Sequence, residues 1–154
     1  MKLTGNTIFI TGGGSGIGRA LAEALHQRGN KVIISGRRKA NLAATIEANP
    51  GMDSIELDIA DPASIRRVSA ELISRYPKLN VLINNAGIMQ VDDVAGYVDD
   101  ELISSTITTN LIGPIRLYRL PYRAPEEAGI SRGVECLLCS GLRTDGDGSG
   151  VLLD

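Results

Sequence analysis

The chain has 154 residues, 43% of them apolar and 22% charged, with a formal net charge of −2. That length fits one domain of ordinary soluble composition. The near-neutral charge gives no electrostatic reason for nucleic acid or an anionic membrane as partner, and one Phe with no Trp offers little stacking surface. No stretch approaches the roughly 20 apolar residues of a membrane span, and the start "MKLTGNTIFITGGG" is too short in apolar residues for a signal peptide. The expected location is the cytoplasm, with no membrane partner.

The elements alternate along the chain. "NTIFITGG" is an apolar run stopped by glycines and predicts a buried strand. "GIGRALAEALHQRGN" carries Ile17, Ala20, Leu21, Ala24 and Leu25 at helical spacing, with Gly29 as its stop. "KVIISG" predicts a second strand, "RKANLAATIEANPG" a second helix, and "SIELDI" a third strand. "DPASIRRVSAELISRYP" predicts a third helix, with Asp61 as N-cap, Pro62 at the first helical position, and Ile65, Val68, Leu72 and Ile73 as its stripe. "LNVLINNAG" is a fourth strand running into a turn. "DDELISSTITTNLIGPIRL" is a longer helix with a Gly-Pro interruption near its end. Strands that are apolar throughout, between helices, predict an α/β fold: a doubly wound parallel sheet with helices on both faces.

From Tyr118 the pattern changes. "YRLPYRAPEEAGISRG" has no hydrophobic period, "RTDGDGSG" reads as a loop, and only "VECLLC" resembles an element. The sequence therefore divides into residues 1–117 and an atypical, poorly ordered tail, 118–154. With strands one to four only, the fourth would be an open edge.

The first strand meets the first helix through "TGGGSGIG", with Gly12, Gly16 and Gly18 as key glycines. Glycines there let backbone N–H groups approach a pyrophosphate, and the helix N-terminus adds a favourable dipole. The spacing is T-G-x-x-x-G-x-G, not G-x-G-x-x-G; a plain turn is the competing reading. At the end of the second strand, a cofactor with a free ribose 2′-hydroxyl would call for Asp or Glu. The chain has Ser35-Gly36-Arg37-Arg38-Lys39 instead. Cations suit a 2′-phosphate, so the expected cofactor is NADP over NAD, with Arg37 on the phosphate. The competing reading is a solvated basic start to the next helix.

These residues together resemble the short-chain dehydrogenase/reductase family over residues 1–117, with the DltE-like oxidoreductases as the nearest subgroup. "TGGGSGIG" matches the family's cofactor loop. "ELDI" matches the strand-three end whose Asp contacts the adenine, here Asp58. "NNAG" matches its strand-four signature, and Asn110 in "TTNLIGP" matches the asparagine that holds an active-site water at a helix kink. The resemblance implies a Rossmann-type sheet and hydride transfer between a nicotinamide and a small carbonyl or alcohol substrate. It implies cofactor contacts from Gly12, Ser15, Gly16, Ile17, Gly18, Arg37, Asp58, Ile59, Asn85, Ala86 and Gly87, with Asn110 as a catalytic residue. Members are usually homo-oligomers.

The family's tetrad is Asn, Ser, Tyr and Lys, and only the Asn is present. Neither Tyr118 nor Tyr122 has Lys four residues on, and no lysine follows Lys78. Poor turnover is expected. A frameshift near Leu117 is the expected cause. Codons permitted for Glu135 onward, read one base later, can spell N-V-S-S-V-V-A-S-V-P-M-A-M-A-A-V-Y-S-S-T. That string holds a fifth strand, a serine under Leu138 and a tyrosine under Val151. Cys136-x-x-Cys139 could be half a zinc site or a redox pair, but it lacks further ligands, since the one histidine is His26. Asp145, Asp147, Ser149 and Gly150 match only the start of a calcium loop. No metal is expected.

Overall fold

The computed structural model describes residues 3–89, 99–119 and the backbone of 135–138. Parallel strands stand in the order β3-β2-β1-β4-β5. They are β1 (Thr7–Thr11), β2 (Lys31–Gly36), β3 (Asp53–Glu56), β4 (Val81–Asn84) and β5 (Glu135–Leu138). The helices between them are α1 (Gly16–Gln27), α2 (Lys39–Ala48) and α3 (Pro62–Arg75). After β4 come α4 (Asp100–Ile107), a π-helical segment (Thr108–Ile112) and α5 (Gly113–Tyr118).

The continuous apolar strands are explained by burial on both faces. Alternate residues enter two separate cores. Phe9, Ile33 and Leu82 join Ile65, Val68 and Leu72 of α3 and Leu117 of α5. Ile8, Ile10, Val32, Ile34, Val81 and Ile83 join Ala22 and Leu25 of α1 and Leu42 of α2. The register keeps the rows level: Phe9 lies beside Ile33 on one side and Leu82 on the other.

The helix stripes differ in detail from the sequence reading. In α1 the buried residues are Gly18, Ala22 and Leu25, while Ala20 and Ala24 face solvent. In α3, Ser69 is buried in place of Ile73, which is 43% exposed. Asp61 caps α3 as expected, accepting from the N–H groups of Ala63 and Ser64 at 2.9 and 3.0 Å.

Two further corrections concern β4 and its successor. Sequence reasoning made β4 the open edge; in the structure β5 pairs along it from Val81↔Glu135 to Asn84↔Leu138. Pairing satisfies the backbone groups that an edge would leave open. The long final helix is not continuous α-helix, since the π segment separates α4 from α5. Pro114 accounts for a break there, because it has no N–H to donate to the Asn110 carbonyl one α-turn back. Tyr122, Cys139 and the Asp145–Gly150 run lie outside the described residues.

At the opposite end of the sheet from the glycine loop, Tyr76 Oη donates to Asp53 Oδ2 at 2.8 Å, and Lys31 Nζ lies 2.8 Å from the same oxygen. Burial and the Asp53 carboxylate push the Tyr76 hydroxyl up to about 12. Burial pushes the Asp53 carboxyl up, but hydrogen bonds from Lys31 and Tyr76 outweigh it and hold the group below its usual range. Tyr76 therefore stabilises the fold fully below its unfolded value of about 10, and that contribution is lost as pH rises through about 12. Asp53 has the opposite dependence: its contribution is lost as pH falls through its lowered value. Melting temperature should fall between about pH 10 and 12, and Tyr76→Phe should flatten that limb; an equally steep limb in the variant would contradict the assignment.

Candidate active site

The sequence-predicted residues collect at the C-terminal ends of β1 to β4, where a doubly wound sheet binds ligands. The strand order reverses direction at β1, with β2 on one side and β4 on the other. Three groups form there.

The first is the glycine turn between β1 and α1. Gly12 has φ +70, and a Cβ on it would lie 3.0 Å from both Ala86 Cα and Asn85 Nδ2. A Cβ on Gly18 would collide with the Gly12 carbonyl oxygen and with Asn85 Nδ2. The turn is thus closed on its inner side by the segment after β4. Asn85 Nδ2 donates to the carbonyls of Thr11 and Gly12 at 3.1 and 3.4 Å. On the outer side Gly16 has φ +55 and open space where a Cβ would stand. Ser15 is the N-cap of α1, yet its side chain makes no capping hydrogen bond, and the first turn holds no acidic residue. By contrast α3 and α4 are capped by Asp61 and Asp99. The N-terminus of α1 therefore keeps donor N–H groups and its positive dipole end for another acceptor. Ile17, in the first turn, is half-buried.

The second group lies between the ends of β2 and β3. Arg37, Glu56, Asp58, Asp61, Ser64 and Arg67 line a cleft of about 450 Å³. Asp58 Oδ1 accepts from Ala60 N at 2.9 Å, and Ser64 Oγ accepts from Asp58 N at 3.1 Å. Those bonds fix the turn after β3. Ile59 follows with its side chain in the core. Lys39 Nζ stands 3.0 Å from Glu56 Oε2, an exposed pair that contributes little stability. Arg38 turns the other way, and its Nη2 donates to Ser15 Oγ at 3.3 Å.

The third group joins Asn110 to the segment after β4. Asn110 Oδ1 accepts from Ile88 N, and its Nδ2 donates to Ile88 O, both at 2.8 Å. Its amide also stands against Gly87, whose Cβ position would be 3.3 Å from Asn110 Oδ1. The side chain of Asn110 is thus committed to the backbone, and its main-chain carbonyl faces the missing N–H of Pro114.

Sequence reasoning missed Thr11 and placed no role on Arg38. Thr11 is buried, and its Oγ1 accepts from both Asn85 N and Ala86 N at 3.0 Å, joining β1 to the end of β4. A threonine closing an apolar strand directly before glycines was the available signal. For Arg38 there was none, since its contact depends on how the two strand ends sit together.

Known proteins resemble this chain in sequence and fold. The family model "short chain dehydrogenase" matches residues 6–129, extending beyond Leu117. The uncharacterized oxidoreductase DltE of Bacillus subtilis is 39% identical over 121 residues, covering 78% of this chain and 48% of the relative. The 3-oxoacyl-[acyl-carrier-protein] reductase FabG of Escherichia coli is 36% identical over 126 residues, covering 80% and 51%. Among solved structures, a short-chain dehydrogenase from Streptomyces avermitilis superposes with TM-score 0.69 at 34% identity, covering 75% of this chain and 43% of that one. An actinorhodin polyketide ketoreductase variant with NADPH gives TM-score 0.67 at 31% identity, covering 73% and 44%. The chain spans about half the length of these relatives. With the parallel sheet, the glycine turn bound to the segment after β4, and the family match over residues 6–129, the chain belongs to the short-chain dehydrogenase family of oxidoreductases.

Proposed function

We propose that this chain binds NADP in the manner of an oxidoreductase that acts on a small carbonyl or alcohol, and that its residues hold the cofactor without completing proton transfer. The observation that carries the reading is the uncapped N-terminus of α1 beside a turn whose outer side is open at Gly16 and whose inner side is closed at Gly12 and Gly18. Backbone N–H groups there can donate to a pyrophosphate without side-chain obstruction. The residues present fit the cofactor. Gly12 to Gly18 would hold the diphosphate, Arg37 the 2′-phosphate, Asp58 the adenine, and Ala86 and Gly87 the segment beyond it. Asn85 supports the turn through its side chain. The actinorhodin polyketide ketoreductase variant to which this chain is similar was solved with NADPH, which favours the phosphorylated cofactor.

When bound, the cofactor supplies a hydride acceptor or donor. The chain must then supply an acid or base for the hydroxyl proton. No Tyr-x-x-x-Lys follows Asn110 in the sequence. Asn110 keeps a positioning role: its side chain ties the π segment to Ile88, and its main-chain carbonyl, opposite Pro114, is the group that would hold a water. Thermal shift should therefore show stabilisation by NADP, while NADPH absorbance stays constant with a panel of carbonyl compounds. Steady NADPH oxidation above the protein-free rate would contradict the second half of the reading.

The same reading includes self-association. Ile103, Ile107, Leu111, Ile115 and Tyr118 are each 41–54% exposed and recur every three or four residues along α4, the π segment and α5. Such a stripe is a docking face when it has a partner. Asp99, Asp100 and Glu101 stand at its start, and Arg116 and Arg119 at its end. A second copy related by a two-fold axis would lie antiparallel, acid against base at each end of the stripe. Sedimentation should give a dimer at micromolar concentration, and Ile107→Asp with Leu111→Asp should give a monomer. A monomeric parent chain would overturn this assembly.

A further inference from the structure

The proposed function gives the cleft between β2 and β3 one cation, Arg37. A phosphate monoester carries about −1.5 to −2 charges at neutral pH. One guanidinium neutralises about half of that.

We propose that Arg67 of α3 is a second specificity-determining residue, binding the 2′-phosphate of the adenosine half from the wall opposite in origin to Arg37. Arg37 comes from the β2–α2 turn and Arg67 from α3, yet both line the same cleft of about 450 Å³. Arg37 makes no hydrogen bond or ion pair with any described residue. Arg67 is held differently. Its Nη2 donates to the Glu56 main-chain carbonyl at 2.7 Å. A carbonyl fixes the orientation of a guanidinium without cancelling its charge. The nearest carboxylate, Glu71, is 3.8 Å from Arg67 Nη1 and is already engaged by Arg75. The Arg67 side chain remains 54% exposed, so its other N–H groups can reach a ligand.

The acids of the cleft do not take these charges. Glu56 pairs with Lys39 at 3.0 Å. Asp61 accepts from the N–H groups that open α3, and Asp58 Oδ1 from Ala60 N. The cleft thus offers two guanidinium groups together with the carboxylates of Asp58 and Asp61, which are bonded to main-chain N–H groups. That combination suits a ligand with a phosphate and an exocyclic amine on one nucleoside. Arginine forms two parallel hydrogen bonds to phosphate, so two arginines from separate elements hold it from two directions.

This proposal rests on the NADP reading, and the test separates the two. Dissociation constants of 2′,5′-ADP and of 5′-ADP are measured by calorimetry on the 154-residue chain and on Arg67→Gln, Arg67→Lys and Arg37→Gln. Arg67→Gln should weaken 2′,5′-ADP roughly tenfold while 5′-ADP stays within about twofold. Arg67→Lys, which keeps the charge, should recover part of the loss. A parent chain that binds both ligands equally overturns the NADP reading and Arg67 with it. A parent preference for 2′,5′-ADP that Arg37→Gln removes and Arg67→Gln leaves intact overturns Arg67 alone. Equal weakening of both ligands by Arg67→Gln also overturns it, since Arg67 would then act only by holding the end of β3.

Discussion

Gly18→Ala is expected to destabilise the chain by about 1–3 kcal/mol and to weaken NADP binding by roughly tenfold or more. The added methyl would occupy the place where the Gly12 carbonyl oxygen and Asn85 Nδ2 already stand. A flexible side-chain tip could swing aside; a backbone carbonyl at the top of a buried strand cannot. Gly12 follows Thr11, whose Oγ1 accepts from Asn85 N and Ala86 N, so a shift of the turn would pull on four hydrogen bonds between β1 and the end of β4. Both readouts should therefore move together. Urea unfolding reports the first and cofactor titration the second. Unchanged stability in Gly18→Ala would mean that the turn is not packed against Asn85 as described.

Arg37→Ala is expected to weaken NADP by about 10- to 100-fold and to leave NAD unaffected. The residue is exposed and makes no bond with any described residue, so its removal costs little in stability. A charge-assisted hydrogen bond to phosphate contributes about 1.5–3 kcal/mol, which sets that range. The contrast with Gly18→Ala is useful: one variant changes specificity alone, the other binding and fold together. Paired titrations with NADP and NAD, with a melt on each sample, distinguish them. Equal losses for both cofactors in Arg37→Ala would remove Arg37 from the phosphate.

Much of this arrangement was legible in the sequence, for physical reasons. β1, β2 and β4 are short apolar runs that can be buried only between two layers, and the strict alternation with helices fixes a parallel sheet. The glycine turn was legible because tight strand-to-helix turns that approach a phosphate need residues without Cβ. The π segment was half legible: the Gly113-Pro114 pair signalled a break, but the break's form depends on which carbonyls find new donors. β5 was half legible: "VECLLC" stood out as the one candidate element after Tyr118, but its place beside β4 depends on pairing that no local period encodes. The stripe of α1 shifted because Gly18 and Ala22, with almost no side chain, are what allow that helix close to the sheet. Thr11 left a signal, a threonine closing an apolar strand directly before glycines, but the contacts of Arg38 and Arg67 join distant segments, and spacing along one segment carries no trace of them.

The exposed face of α4 to α5 bears on how such a chain behaves in solution. Unpaired, five large apolar residues along one helix face favour aggregation. Covered by a second copy, they become the core of an interface with matched charges at its ends.

The proposed site, the glycine turn with the cleft at Arg37, should bind NADP in preference to NAD. Isothermal titration of the 154-residue chain with each cofactor tests it most directly. Saturable one-site binding of NADP, at least about tenfold tighter than NAD, is the result predicted. No heat with either cofactor, or tighter binding of NAD, would contradict it.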